Sequence, residues 1–191
     1  GAIKEGRISF ENLRKGVRYY LACKAALVFI ALLPVLLGVP VPFAPIQIIL
    51  MELFMDLAAS AAFVAEPPER DLMRRPPRDP KAKFLDRFMV HSILLPAAGL
   101  FSAVCGVYLA AWYSGAGVTA AQTVAFATWL LGHVFLALNL RSEREPLVRL
   151  GPFSNWVMVV WAMATVALLL VATIAPGAQQ LIKVTFLNRA Q

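Results

Sequence analysis

Glu52 and Asp56 stand four residues apart within residues 46–64, a stretch otherwise long and apolar enough to cross a bilayer. A carboxylate near the bilayer centre costs roughly 2.5–3.5 kcal/mol on insertion scales, so acids at that depth are expected to face a bundle interior or a water-filled cavity and to mark an ion or substrate path. On a regular helix the two carboxylates share a face, and close carboxylates tend to share a proton at neutral pH. Lys24, inside the preceding apolar segment, supplies an internal cation. The chemistry these types offer is protonation and cation binding. Asp56 is the group whose proton affinity would alternate between two conformations, and Lys24 is a counter-charge that lowers the cost of burying an acid. His133, with an ordinary pKa of about 6.5, is a further candidate for that relay.

Each residue also has a plainer reading. Lys24 lies six residues beyond Arg18, about 9 Å along a helix, which is close enough for its side chain to snorkel to the surface. His133 fits a packing residue hydrogen-bonded to a nearby carbonyl. Glu52 and Asp56 fit an inert ion pair with Lys24. Gln47 and Asn139 read as hydrogen bonders between helices, and His91 as an interfacial residue.

The elements that must position these groups follow from composition. The 191 residues are 60% hydrophobic and 15% charged, with mean hydropathy +0.70, which makes the bilayer the natural solvent. Five segments, roughly 19–38, 44–64, 90–112, 121–140 and 154–175, have the length of about 20 residues that crosses a bilayer. The fold class is therefore an all-α, polytopic membrane helix bundle. Residues 1–18 form a helical stalk running without a breaker into the first span, 19–175 the bundle, and 176–191 an external tail leading towards a further helix. No secretory signal peptide is visible in the charged opening. Net charge +7 raises nucleic acid as a partner, but 15 of the 18 Lys and Arg lie in the stalk, in 70–87 and in 141–149, whereas the connections 38–45 and 113–120 have none. That alternation is topological: it predicts a cytoplasmic N-terminus and cytoplasmic basic loops, with membrane lipid and not nucleic acid as the partner. Cys23 and Cys105 fall inside spans and read as small core residues.

Pro34, Gly38, Pro40 and Pro42 predict a tight turn after the first span, with Pro45 opening the next helix. The Pro-rich charged stretch 66–80 cannot be helical throughout and reads as an extended connector. Its Arg74, Arg75 and Arg78 are candidates for contact with another domain or with anionic headgroups. Small residues in 94–106 predict close approach of helices.

Several stretches resemble one family: Gly6-Arg-Ile-Ser-Phe-Glu-Asn-Leu-Arg-Lys15 leading into a helix, Pro45-Ile-Gln-Ile with Glu52 through Asp56 behind it, and Glu66-Pro followed by Met73-Arg-Arg-Pro-Pro-Arg78. His133 through Ala137-Leu-Asn139 and Arg141-Ser142 complete the set. In this order they resemble the C-terminal membrane region of P-type cation-transporting ATPases, in the calcium-pump-like bacterial branch. The resemblance implies that the spans correspond to the fifth to ninth membrane helices and residues 1–18 to the stalk below a phosphorylation domain. It implies a bacterial plasma membrane and, as partners, the phosphorylation, nucleotide and actuator domains, other membrane helices and the transported cation. The family's Asp-Lys-Thr-Gly and Thr-Gly-Glu motifs do not occur here, so ATP and magnesium are expected of a complete pump and not of this segment.

The family's ion site carries over only in part. The calcium-pump pattern implies Asn and Glu at positions 24 and 27, where this chain has Lys24 and Leu27. It implies Asn, Thr and Asp at 52, 55 and 56, where Glu52, Met55 and Asp56 stand, and a Glu where this chain has His133. Calcium prefers six to eight oxygens, so the sequence favours a proton or monovalent cation. A calcium or other divalent pump, or a non-pumping scaffold, is the alternative.

Overall fold

The computed structural model describes residues 1–69, 71–76, 84–142 and 147–185. Helix α1 (Ala2–Leu37) runs through stalk and first span without a break; its 36 residues make about 54 Å at 1.5 Å per residue, well beyond a bilayer's hydrocarbon. It stops where Pro34 withdraws a backbone donor and Gly38 takes the left-handed conformation (φ 65°), its N–H bonding to the Pro34 carbonyl. After the turn, α2 (Pro45–Leu57) opens with Pro45 in its first turn and passes into a π-helical turn, Ala58–Ala62. A short 3₁₀ turn, Leu72–Arg74, lies in the connection to α3 (Arg87–Tyr113), whose first turn is capped by the Asp86 side chain. Helices α4 (Val118–Asn139), α5 (Leu147–Leu150), α6 (Trp156–Ile174) and α7 (Pro176–Ile182) follow. Five of these segments are long and apolar enough to cross a membrane, so the chain is an integral membrane helix bundle.

Helix α4 is the hub. Of its most apolar window 56% is buried, against 22–33% for the other spans, and the outer helices turn residues such as Val35, Leu95 and Met163 outward. A stripe of Met89, Ile93, Ala97, Leu100, Val104 and Tyr108 on α3 packs between α1 and α4. The small residues of 94–106 do not all serve that packing. Gly99 and Gly106 lie on the opposite face with open space around them, because the four- and three-residue steps of the stripe skip both. The close approach is made by Gly132 of α4, where an added Cβ would come 2.6 Å from Leu100 Cδ1. Gly132→Val is therefore expected to destabilise the bundle by about 1–3 kcal/mol, as overpacked cores do, read as a lower thermal midpoint in detergent.

The α1–α2 turn shows how Pro-rich backbone is held. The Tyr108 hydroxyl donates to the Pro40 carbonyl (2.6 Å) and Gln122 Nε2 to the Val41 carbonyl (2.9 Å). Gln47, wholly buried, accepts from the Ala44 N–H (3.0 Å) and donates to the Ile182 and Lys183 carbonyls (3.3 and 3.1 Å), and the Thr185 N–H donates to Thr123 Oγ1 (3.0 Å). Residues 176–185, the first part of the expected external tail, include a short helix folded back onto the start of α2. The donors of Gln47 meet helix-end carbonyls that would otherwise lack partners. Asn139, expected to bridge helices, instead donates to Phe135 of its own helix (2.8 Å).

Candidate ion-binding site

Helix α2 is positioned by one apolar stripe. Gln47, Met51, Met55, Ala58 and Ala62 are buried and set the contacts with α4, α6 and, through the π turn, α1. Asp56 stands one residue, about 100° around the helix, from Met55. It does not face the interior of this bundle. It is exposed and lines an open groove of about 680 Å³ between α1 and the π turn, with Ser9, Asn12, Tyr20 and Ser60. The Ser60 hydroxyl donates to the Asp56 carbonyl (2.7 Å), satisfying backbone that the change to π hydrogen bonding disturbs.

Glu52, one turn earlier, is ion-paired with Lys24 of α1, the two side chains 29% and 33% exposed. The ammonium also lies over the Tyr20 ring, 5.2 Å from its centroid, a favourable cation–π position. Lys24 therefore turns towards α2 instead of snorkelling to the bundle end. The structure brings Lys24, Glu52 and Asp56 to one side of α1 and α2.

His133 lies elsewhere. It is wholly buried, its ring between those of Trp129 and Trp161 with centroids 6.5 and 5.4 Å away. Its Nδ1 pairs with the Trp129 carbonyl (3.0 Å). A carbonyl can only accept, so Nδ1 carries a proton; Nε2 has no partner among the described residues. Trp161 in turn donates to the Phe54 carbonyl (2.8 Å), on the inner side of α2. His133 is thus hydrogen-bonded to neither acid. It is the middle of an aromatic file, Phe63–Tyr19–Trp161–His133–Trp129–Phe43, that runs through the bundle.

Residues 66–69 and 71–76, expected as an extended connector, fold back against α1. Arg75 ion-pairs with Glu11 of α1 and with Glu69 and Asp71 of its own loop, and Lys15 pairs with Glu69 at 2.9 Å. Arg7 donates to the Leu72 and Arg75 carbonyls (3.1 and 2.8 Å). Opposite charges on the stalk fold the loop back on it, and the ring of ion pairs replaces the solvation that an isolated charged connector would keep. Arg74 is exposed; Arg78 lies outside the described residues. Burial pushes the Glu69 carboxyl up, but hydrogen bonds from Arg75 and Lys15 and their positive charges outweigh it and hold the group below its ordinary value of 4.5. A depressed carboxyl stabilises the fold above its unfolded-state pKa and loses that contribution as pH falls through the folded one. The loop is therefore expected to loosen below about pH 4.5, seen as faster hydrogen exchange in 69–76 with the spans still protected.

A second charged group escaped the sequence reading. Glu66 (4% exposed), Arg141 (0%) and Asn155 (2%) are buried together where the π turn, α4 and α6 converge. Arg141 Nε donates to both Glu66 oxygens (2.9 and 3.0 Å), and its terminal nitrogens reach Ser154 Oγ (2.6 Å) and the Gly151 and Pro152 carbonyls. Asn155 Nδ2 donates to Glu66 Oε2 and to the Ala62 carbonyl, both 2.7 Å, while its Oδ1 caps α6 at Met158. From α1, Asn12 donates to the Val64 and Glu66 carbonyls (3.2 and 2.7 Å). Only the capping role of Asn155, an Asn just before an apolar run, was signalled by sequence.

Residues 40–191 match the family model for the C-terminus of cation transporting ATPases. The chain belongs to this cation-transporting ATPase family. It is 32% identical over 179 residues to a calcium-transporting ATPase of Bacillus subtilis, covering 93% of this chain and 20% of that protein. A probable cation-transporting ATPase F of Mycobacterium tuberculosis is 30% identical, with coverages of 83% and 18%. A calcium-transporting ATPase type 2C member 2 of mouse is 26% identical, with 94% and 19%. The chain thus spans about a fifth of the length of these relatives. Within this ATPase region no three His, Cys, Asp or Glu residues converge as a metal site among the described residues; Asp56 lines the groove, and Glu52, paired with Lys24, stands four residues before it on α2.

Proposed function

We propose that this chain is the C-terminal part of the transport domain of an ATP-driven cation pump, and that protons or a monovalent cation pass Asp56 and Glu52 with Lys24 as fixed counter-charge. The observation that carries the reading is the Lys24–Glu52 ion pair. An ammonium already neutralises one of the two carboxylates, so a net charge of about −1 is left for a cargo, which a proton or a monovalent ion balances and a divalent one overcompensates. Asp56 is the exchanging carboxylate. Its open groove suits closure by further membrane helices, consistent with a chain that spans a fifth of its relatives. His133 would act from the interior and not as a member of the acid pair.

In this reading the stalk and basic connections face the cytoplasm of a bacterial cell, and the Arg74–Arg75 loop lies towards the phosphorylation domain. ATP and magnesium are expected of the complete pump, whose phosphorylation motifs do not occur in this sequence. Calcium is the second reading, favoured by the names of the Bacillus and mouse relatives.

The test is phosphoenzyme formation by the complete pump with calcium, magnesium, sodium, potassium or pH as the variable. Control by pH or a monovalent ion is the expected result; activation by micromolar calcium defeats it. A third outcome, wild-type transport in Asp56→Asn and Glu52→Gln, leaves an inert scaffold. Lys24→Asn removes the competing positive charge, so it is expected to tighten calcium binding to the complete pump on the order of a hundredfold, measured by calcium-45 retention.

A further inference from the structure

The residues that hold Glu66 suggest a role beyond stability. Asp56 is followed within two residues by the π turn, and the π turn is followed at once by a stretch whose backbone is fixed from three directions. Asn155 of α6 holds the Ala62 carbonyl, Asn12 of α1 holds those of Val64 and Glu66, and Arg141, at the end of α4, holds the Glu66 carboxylate. All four side chains are at least nine-tenths buried. A π turn carries one residue more per turn than the α-helix it interrupts, so it is the point in a helix where the register of one side can change against the other. The packing of Met51 and Met55 sets which side of α2 faces the bundle; with 62–66 fixed, the register chosen in 58–62 adds a second constraint on the direction in which Asp56, next to the turn, points.

We propose that Glu66, Arg141, Asn155 and Asn12 form a positioning clamp that sets the orientation of Asp56 through the π turn, and so the cation affinity of the pump. The proposal rests on the reading of Asp56 as the ion-exchanging group. Glu66, Arg141 and Asn155 lie outside the groove, whereas Asn12 both lines it and holds the 64–66 backbone, so the Glu66–Arg141 double variant is the one that isolates positioning from direct contact with the ion. Losing it frees 62–66, and the π turn then relaxes into more than one register, so Asp56 spends less time in the binding orientation.

Two variants test this without stranding a buried charge. Asn12→Ala deletes two hydrogen bonds from a neutral residue, and Glu66→Gln combined with Arg141→Met removes both charges together. In the complete pump in liposomes, phosphoenzyme formation is titrated with pH, sodium or potassium in calcium-free buffer and with calcium at fixed pH, and the half-saturation compared is that of the ion that controls the wild type. Both variants are expected to move half-saturation to weaker binding by at least about fivefold, as a displaced binding group does, while maximal phosphoenzyme per folded molecule stays near wild type. A purely structural role lowers yield and thermal midpoint and leaves half-saturation within about twofold; that result in either variant overturns the proposal. Asp56→Asn, run alongside, separates the two ideas. If it titrates like wild type, the ion-path reading itself has failed; if it is inactive while the clamp variants titrate like wild type, only the clamp has.

Discussion

Asp56→Asn in the complete pump is expected to abolish cation-dependent phosphoenzyme formation while leaving the bundle assembled. The side chain is exposed on the groove and makes no contact that holds helices together; Ser60 bonds to its backbone carbonyl, which the substitution keeps. Stability should therefore change little. The lost carboxylate charge acts at about 4 Å on a bound cation in a partly desolvated groove, and at an effective dielectric near 20 that is about 4 kcal/mol, or about a thousandfold in affinity. Glu52→Gln should do less to affinity and more to the fold, since it leaves Lys24 without its ion partner at span depth. Measuring phosphoenzyme and thermal midpoint on the same two preparations distinguishes them: activity falls furthest in Asp56→Asn and the midpoint in Glu52→Gln.

The second large effect is on stability. Arg141→Met alone strands the Glu66 carboxylate at 4% exposure, with Asn155 as the one side-chain donor left to it among the described residues. Breaking a buried pair from one side costs about 3–5 kcal/mol, whereas replacing both partners is often neutral. The single variant is accordingly expected to fail to accumulate in the membrane, and adding Glu66→Gln should restore most of the protein. Equal yields of the single and double variants would mean that Glu66 takes up a proton or reaches water when Arg141 is lost.

The spans were legible because a bilayer makes the strongest demand on sequence: long apolar runs, interrupted by Pro and Gly, must be helices. The Pro45 start of α2 and the Gly38 stop of α1 were readable for the same local reasons. The orientation of Asp56 was not. Hydropathy places it at span depth, but which side of α2 faces the bundle is decided by where Met51, Met55 and Ala58 find partners on α4 and α6, and that is tertiary information. His133 could be placed on a span yet not beside or away from the acids, since helix adjacency is not written in one sequence. Glu66 and Arg141 stand 75 residues apart in stretches that read as charged connections. Burial of a charge is visible only once both partners are brought together.

Helix α2 is moored at both ends, by Gln47 to the Ile182 and Lys183 carbonyls and by 62–66 to Asn12 and Asn155. It cannot slide like a piston without releasing buried amides at one end or the other. The compliant stretch between the moorings is the π turn, so displacement of Asp56 during transport should be peristaltic: a bulge one residue wide passes along the helix while both termini stay still.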